Sequence, residues 1–177
     1  MLLLHSKKQA RTSGTVRFPD DFRDSQLIIC STINAEGYKN TQLASSDAIY
    51  VKPLVILINQ QTCGAAVLFA AALAENARAT LVGTNANNAP QLIQEISKLN
   101  DGSRLAISTA HWLSPMENDF EGNGLKPDVV VSITAKDKVD GKGRWWLSPS
   151  ASFDPTKLTD KQVVKAIEVL KHSIAEA

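Results

Sequence analysis

The sequence predicts an α/β fold, and three consecutive segments carry that prediction. Leu54 to Ile58 (LVILI) is a continuous apolar run bounded by Pro53 and Asn59, the pattern of a strand buried on both faces of a parallel sheet. Gly64 to Glu75 is dominated by Ala and Leu, apolar on nearly every side, and ends near Asn76, as expected of a helix packed inside a protein. Ala79 to Val82 (ATLV) returns as a strand that stops at Gly83. Strand, helix and strand then form one crossover unit, right-handed by the general rule for such connections.

The remaining elements follow in chain order. Residues 1 to 25 are polar, mixed in charge and interrupted by Gly14 and Pro19, so they read as an N-terminal arm ahead of a single domain over residues 26 to 177. Gln26 to Thr32 is a short β-branched apolar run, hence a buried strand, and Asn34 to Ser46 has the Asn, Gly, Ser and Thr content of a surface loop. Asn85 to Ala89 is a polar loop, and Pro90 is placed to open a short helix through Leu99. Asn100-Asp101-Gly102 marks a turn. Arg104 to Thr109 and Val129 to Ile133 read as strands, with a loop from Gly122 to Pro127 between them. Asp160 to Ala175 is an amphipathic helix with Val163, Ile167, Leu170 and Ile174 on one face, and Thr159 with Gln162 offers a capping box.

Composition bounds the function. With 177 residues, 44% of them hydrophobic and 21% charged, the chain can bury a real core. A net charge of +1 leaves no general electrostatic footprint for nucleic acid; the nearest basic cluster is Lys7, Lys8 and Arg11. The opening MLLLHSKK has an apolar run of four residues, too short for an export signal or a membrane span, so a soluble chain with no transmembrane segment is expected. Cys30 and Cys63 form no Cys-x-x-Cys pair, and His5, His111 and His172 show no metal-ligand spacing, so neither metal nor cofactor is expected. Compartment is not legible from two cysteines.

Several short segments follow one another in a fixed order: Asn59-Gln60-Gln61-Thr62-Cys63-Gly64-Ala65-Ala66-Val67, Asn76-Ala77-Arg78-Ala79, Val82-Gly83 and Asp101-Gly102-Ser103. Thr109-Ala110-His111-Trp112-Leu113-Ser114-Pro115 and Gly124-Leu125-Lys126-Pro127-Asp128 continue the series. Together, from Asp47 to Lys171, they resemble the C-terminal processing peptidases, or tail-specific proteases, whose core is a crotonase-like α/β fold. The resemblance implies that fold in part, with this chain supplying the second half of the protease core.

The resemblance also implies where the chemistry would sit. Its members cleave peptide bonds with a serine, the first of Ala-Ser-Ala-Ser, whose proton is taken by a lysine twenty-five positions later. A hydroxyl is a poor nucleophile without such a base, and a lysine serves only when burial lowers its pKa. Here the serine position is Gly64, and the lysine position is Ala89, or Pro90 when counted back from Asp101-Gly102. No serine lies between Ser46 and Ser97 and no lysine between Lys52 and Lys98, so no small change of register restores the pair. The assisting glutamine falls on Ile93 or Gln94, and the second serine and its glutamate are replaced by Ala66 and Val67. The Asp-Leu-Arg-x-Asn-x-Gly-Gly turn that gives the family an oxyanion donor does not occur in this sequence, and neither does a PDZ-like region.

Other reactive residues have bland readings beside the sharp ones. Cys63 adjoins the vacant position and could be a nucleophile with His111 as partner, but the matching family position is an inward alanine and a buried cysteine behaves as a small apolar residue. Thr62 has no evident base. Trp145 and Trp146 follow a Gly141-Lys142-Gly143 turn, where one can cover the core while the other anchors a partner. Glu117 to Asp119 and Lys136 to Lys142 read as solvated loops. The resulting expectation is a catalytically inactive relative acting as an interaction or structural subunit, covered at its open sheet edge by another protein or another copy, or binding peptide C-termini. The alternative is a serine-type endopeptidase whose site is completed by another chain or was lost by truncation or substitution. Family relatives are often periplasmic or lumenal.

Overall fold

A computed structural model describes residues 2–3, 27–44, 52–87, 92–139 and 160–175. In chain order the elements are β1 (Leu2–Leu3), β2 (Ile28–Asn34), β3 (Lys39–Leu43), β4 (Val55–Ile58), α1 (Ala65–Glu75), β5 (Thr80–Gly83), β6 (Leu92–Lys98), β7 (Arg104–Leu113), β8 (Val129–Val130), α2 (Ala135–Val139) and α3 (Lys161–Ala175). They form two four-stranded sheets, one ordered β1-β4-β5-β8 and the other β3-β2-β7-β6.

The first sheet is parallel throughout, pairing Ile56 with Leu81, Leu2 with Ile56, and Val82 with Val129. Every residue of β4 is buried, as its unbroken apolar run requires, because the sheet is covered on both faces. Ile56 and Ile58 pack with Val67, Ala70, Ala71 and Leu73 of α1, whereas Val55 and Leu57 pack with Val163 and Ala166 of α3. The alternation along one strand thus sends successive side chains to opposite helices. The expected mixed α/β class and the crossover unit both hold. Leu2–Leu3 of the expected arm form a strand beside β4, which covers part of an edge that the sequence left open.

The second sheet is antiparallel, and two expectations fail in it. The segment read as a loop, Asn34 to Ser46, contains β3, whose five residues are all exposed. Its polar side chains give no alternation to read, and its backbone pairs with β2 from Ile33–Lys39 to Ile28–Leu43. The helix expected from Pro90 to Leu99 is instead β6, paired along its length with β7 from Leu92–His111 to Lys98–Arg104. Ile93 and Ile96 suit a helical face, but a seven-residue segment forms too few internal helical bonds to outweigh a complete ladder on a neighbouring strand. Asn100-Asp101-Gly102 does turn this hairpin: the Asp101 carboxylate accepts the Ser103 N–H at 2.9 Å and hydroxyl at 2.6 Å. Those bonds, the hydroxyl first, hold its carboxyl below the usual range.

One loop reading and one helix cap are also corrected. Residues 135–139 form α2, with Thr134 as N-cap and Asp137 as the reciprocal partner: Asp137 N–H donates to Thr134 Oγ1 at 3.2 Å and Thr134 N–H to Asp137 Oδ2 at 3.0 Å. The cap of α3 is Asp160 rather than Thr159, which lies outside the described residues; Asp160 Oδ1 accepts the N–H groups of Gln162 at 2.9 Å and Val163 at 3.1 Å. Burial pushes the Asp160 carboxyl up. Gln162 is turned elsewhere, donating to Val131 O at 2.8 Å.

Candidate functional site

The turn between β4 and α1 is built by Thr62. Its side chain is fully buried and accepts the Asn59 N–H at 3.1 Å, while its own N–H donates to Asn59 O at 2.8 Å. Asn59 Oδ1 accepts the Gln61 N–H at 2.8 Å. The hydroxyl of Thr62 is therefore part of the turn's scaffold. Cys63 is partly buried.

Gly64 follows as the N-cap of α1, with φ 60° and ψ −135° and no side-chain cap. This backbone region penalises a residue with a Cβ, and a sharp strand-to-helix turn in it is what lifts a nucleophile above a sheet in hydrolase elbows. Gly64 O accepts the Val67 N–H at 3.0 Å. The first turn of α1 carries no acidic residue.

Two further segments close around the turn. Asn87 N–H donates to Thr62 O at 2.9 Å, Ala86 N–H to Leu125 O at 2.8 Å and Thr84 N–H to Ile58 O at 3.1 Å. Close approach at the end of β5 depends on Gly83, whose φ is 136° and where a Cβ would lie 2.1 Å from Ile58 O. Ala89 and Pro90 lie just beyond Asn87, outside the described residues, as do Trp145 and Trp146. Gln94 is exposed on β6, and Val67 is wholly buried in the core.

The other motif residues have structural partners. Asp128 accepts the Leu81 N–H at 2.7 Å, completing the edge of β5 just before β8 begins. Asn76 Nδ2 donates to Ala72 O at 2.7 Å and to Ile28 O at 2.9 Å, joining the end of α1 to the second sheet. Ala77 continues with φ 55°, and Ala77 N–H to Ala74 O and Arg78 N–H to Leu73 O, at 2.9 and 2.8 Å, complete a Schellman ending.

His111 stands on β7, with Nδ1 3.9 Å from Asp119 Oδ2. Glu121 joins them, so that one donor atom from each of the three residues lies within 4.8 Å of the others. This group was missed in the sequence because no regular spacing links a strand histidine to loop carboxylates. The loop read as merely solvated is held firmly: Glu75 accepts Met116 N–H at 2.8 Å and Asn118 Nδ2 at 2.9 Å, and Lys39 forms an ion pair with Glu117.

Comparison with known proteins relates the chain to C-terminal processing peptidases. Residues 12–131 match the profile of Peptidase family S41. The carboxyl-terminal-processing protease of Synechocystis sp. is 38% identical over 153 residues, 86% of this chain and 32% of that protein. Carboxyl-terminal-processing peptidase 3, chloroplastic, of Arabidopsis thaliana is 36% identical over 120 residues, covering 64% of this chain and 23% of the plant protein. The chain thus spans a third or less of these curated relatives. Among solved structures, a photosystem II D1 C-terminal processing protease superposes with TM-score 0.59 and 27% identity, over 64% of this chain and 29% of the other. A peptidase structure from Parabacteroides merdae shares the fold at TM-score 0.58 and 19% identity, over 85% of this chain and 45% of that one. No helix among the described residues is long and apolar enough to cross a membrane.

Proposed function

The chain belongs to peptidase family S41, and on that premise we propose that it is a non-catalytic member acting as an interaction subunit. The observation that carries this reading is the turn at Gly64: a strained strand-to-helix elbow with φ 60°, at the position the family's motif gives to its serine, bears no side chain. The adjacent hydroxyl, Thr62, is committed to the Asn59 N–H. Ala89 or Pro90 stands where the motif gives the lysine, and neither can take a proton. With nucleophile and base both absent, the elbow can still shape a groove or brace a neighbouring chain, but it cannot form an acyl intermediate.

A binding role is supported by apolar side chains exposed on the β6–β7 hairpin, Ile96 on one face and Leu105 and Ile107 on the other, beside the outer edge of β6. The test has two arms. The purified chain, incubated with unstructured polypeptides carrying apolar C-termini and with a fluorophosphonate probe, is expected to give no cleavage and no adduct; cleavage by the chain alone would refute the non-catalytic reading. Native mass measurement of the chain recovered from its host should find it at fixed stoichiometry with a second polypeptide or copy, and a lone monomer would refute the subunit role.

A second reading draws on the chain's span of 32% of the Synechocystis protease. In it the protein is part of a serine-type endopeptidase whose reactive residues come from another chain. Turnover that appears only when a co-purified partner is added back would favour it.

A further inference from the structure

We propose that His111, Asp119 and Glu121 form a binding site for a divalent transition-metal cation of the zinc class. Their three donor atoms already lie within 4.8 Å of one another. Ligands at about 2.0 to 2.2 Å from a tetrahedral zinc stand roughly 3.4 Å apart, so side-chain rotation alone can close the set.

The placement comes from the fold. His111 lies in a strand paired on both sides, opposite Ile33 of β2 and Leu92 of β6, which fixes its backbone. Asp119 and Glu121 flank Phe120, which is 6% exposed and packs in the core around α1. Burying Phe120 directs its two neighbours outward together. Asp119 Oδ1 accepts the Glu121 N–H at 2.9 Å, which orients that carboxylate and leaves Oδ2 on the side of His111. On the far side of the loop, Gly124 N–H donates to Phe120 O at 2.8 Å.

The donor set decides the ion. An imidazole with two carboxylates suits a borderline cation, and the two negative charges balance a dication. Calcium takes six to eight oxygens and magnesium an octahedral oxygen shell, so an imidazole among three protein ligands selects against both. Side-chain exposures of 46% for His111 and 39% for Asp119 leave room for water at the remaining positions.

Calorimetric titration of the full chain with Zn2+ alone should give one equivalent bound, with no comparable uptake of Ca2+ or Mg2+. His111→Ala and, separately, Glu121→Gln on the exposed loop should each weaken binding by more than about tenfold. Co2+ substitution should produce a visible d–d spectrum without a thiolate charge-transfer band. A variant in which His5 and His172 are both replaced by Ala should bind as the parent does. Absence of one-to-one uptake, unchanged affinity in folded Glu121→Gln, or a thiolate band would each overturn the proposal.

Discussion

Ala77 bears strain at the scale of a single residue. It closes α1 in the left-handed region, at φ 55°, where a Cβ crowds the neighbouring carbonyl. A glycine there would keep both terminal hydrogen bonds and remove that crowding. Ala77→Gly is therefore expected to stabilise the chain by about 1 kcal/mol, offset in part by the greater freedom of glycine in the unfolded state. Urea unfolding of the two proteins checks the sign; a loss of stability would show that the strain is relieved in some other way. Gly83 and Asp128 are also legible as motif residues, but their reasons are not. One avoids Ile58 O and the other accepts from Leu81 N–H, and both partners lie in strands distant in sequence.

At the scale of elements, what could be read was whatever is encoded locally. Burial on both faces left an unbroken apolar run in β4, and the small apolar residues of α1 match its packed position. β6 was misread because Pro90 and the spacing of its isoleucines suit a helix, whereas its partner strand begins only after the turn. β3 was missed because an exposed edge strand need carry no apolar pattern. The short α2 depends on Asp137, whose Oδ1 meets Lys161 Nζ of α3 at 2.7 Å. That ammonium first, and the Thr134 hydroxyl next, hold the carboxyl well below the usual carboxylate range. A folded-state pKa below the unfolded one gives stability that is complete above pH about 4 and is lost as pH falls through the acidic range. Asp137→Asn should therefore be less stable than the parent at neutral pH, and the gap should narrow below pH about 4. Chemical denaturation across pH would expose a constant gap, which would assign the loss to packing instead.

Across the whole molecule, the candidate site depends on segments that the chain brings together from far apart. Residues 59–64, 83–87 and 124–125 meet through backbone hydrogen bonds, and the Thr62 hydroxyl adds one to Asn59 N–H, so the shape of the elbow needs no side chain at Gly64. The reading of Gly64 as a vacant nucleophile position rests on motif order alone; nothing in the sequence hinted at the His111 cluster, which exists only after β7 and the following loop have folded. Gly64→Ser combined with Ala89→Lys is expected to leave peptidase activity at background, because the sequence contains no Asp-Leu-Arg and glycine-pair turn to supply the second oxyanion donor. Measurable peptide cleavage by that double variant would show that one donor suffices here.

Among the described residues the two sheets share no strand; Asn76 reaches from the end of α1 to Ile28 O, and Glu75 takes the Met116 N–H and Asn118 Nδ2 of the loop that follows β7. Backbone pairing is therefore cooperative within each sheet but not between them. The antiparallel sheet can loosen or fray while the parallel sheet and its two flanking helices keep their hydrogen bonds. Such a molecule has two separate ladders of backbone pairing, and a neighbour grasping the hairpin would stabilise one of them without having to remodel the other.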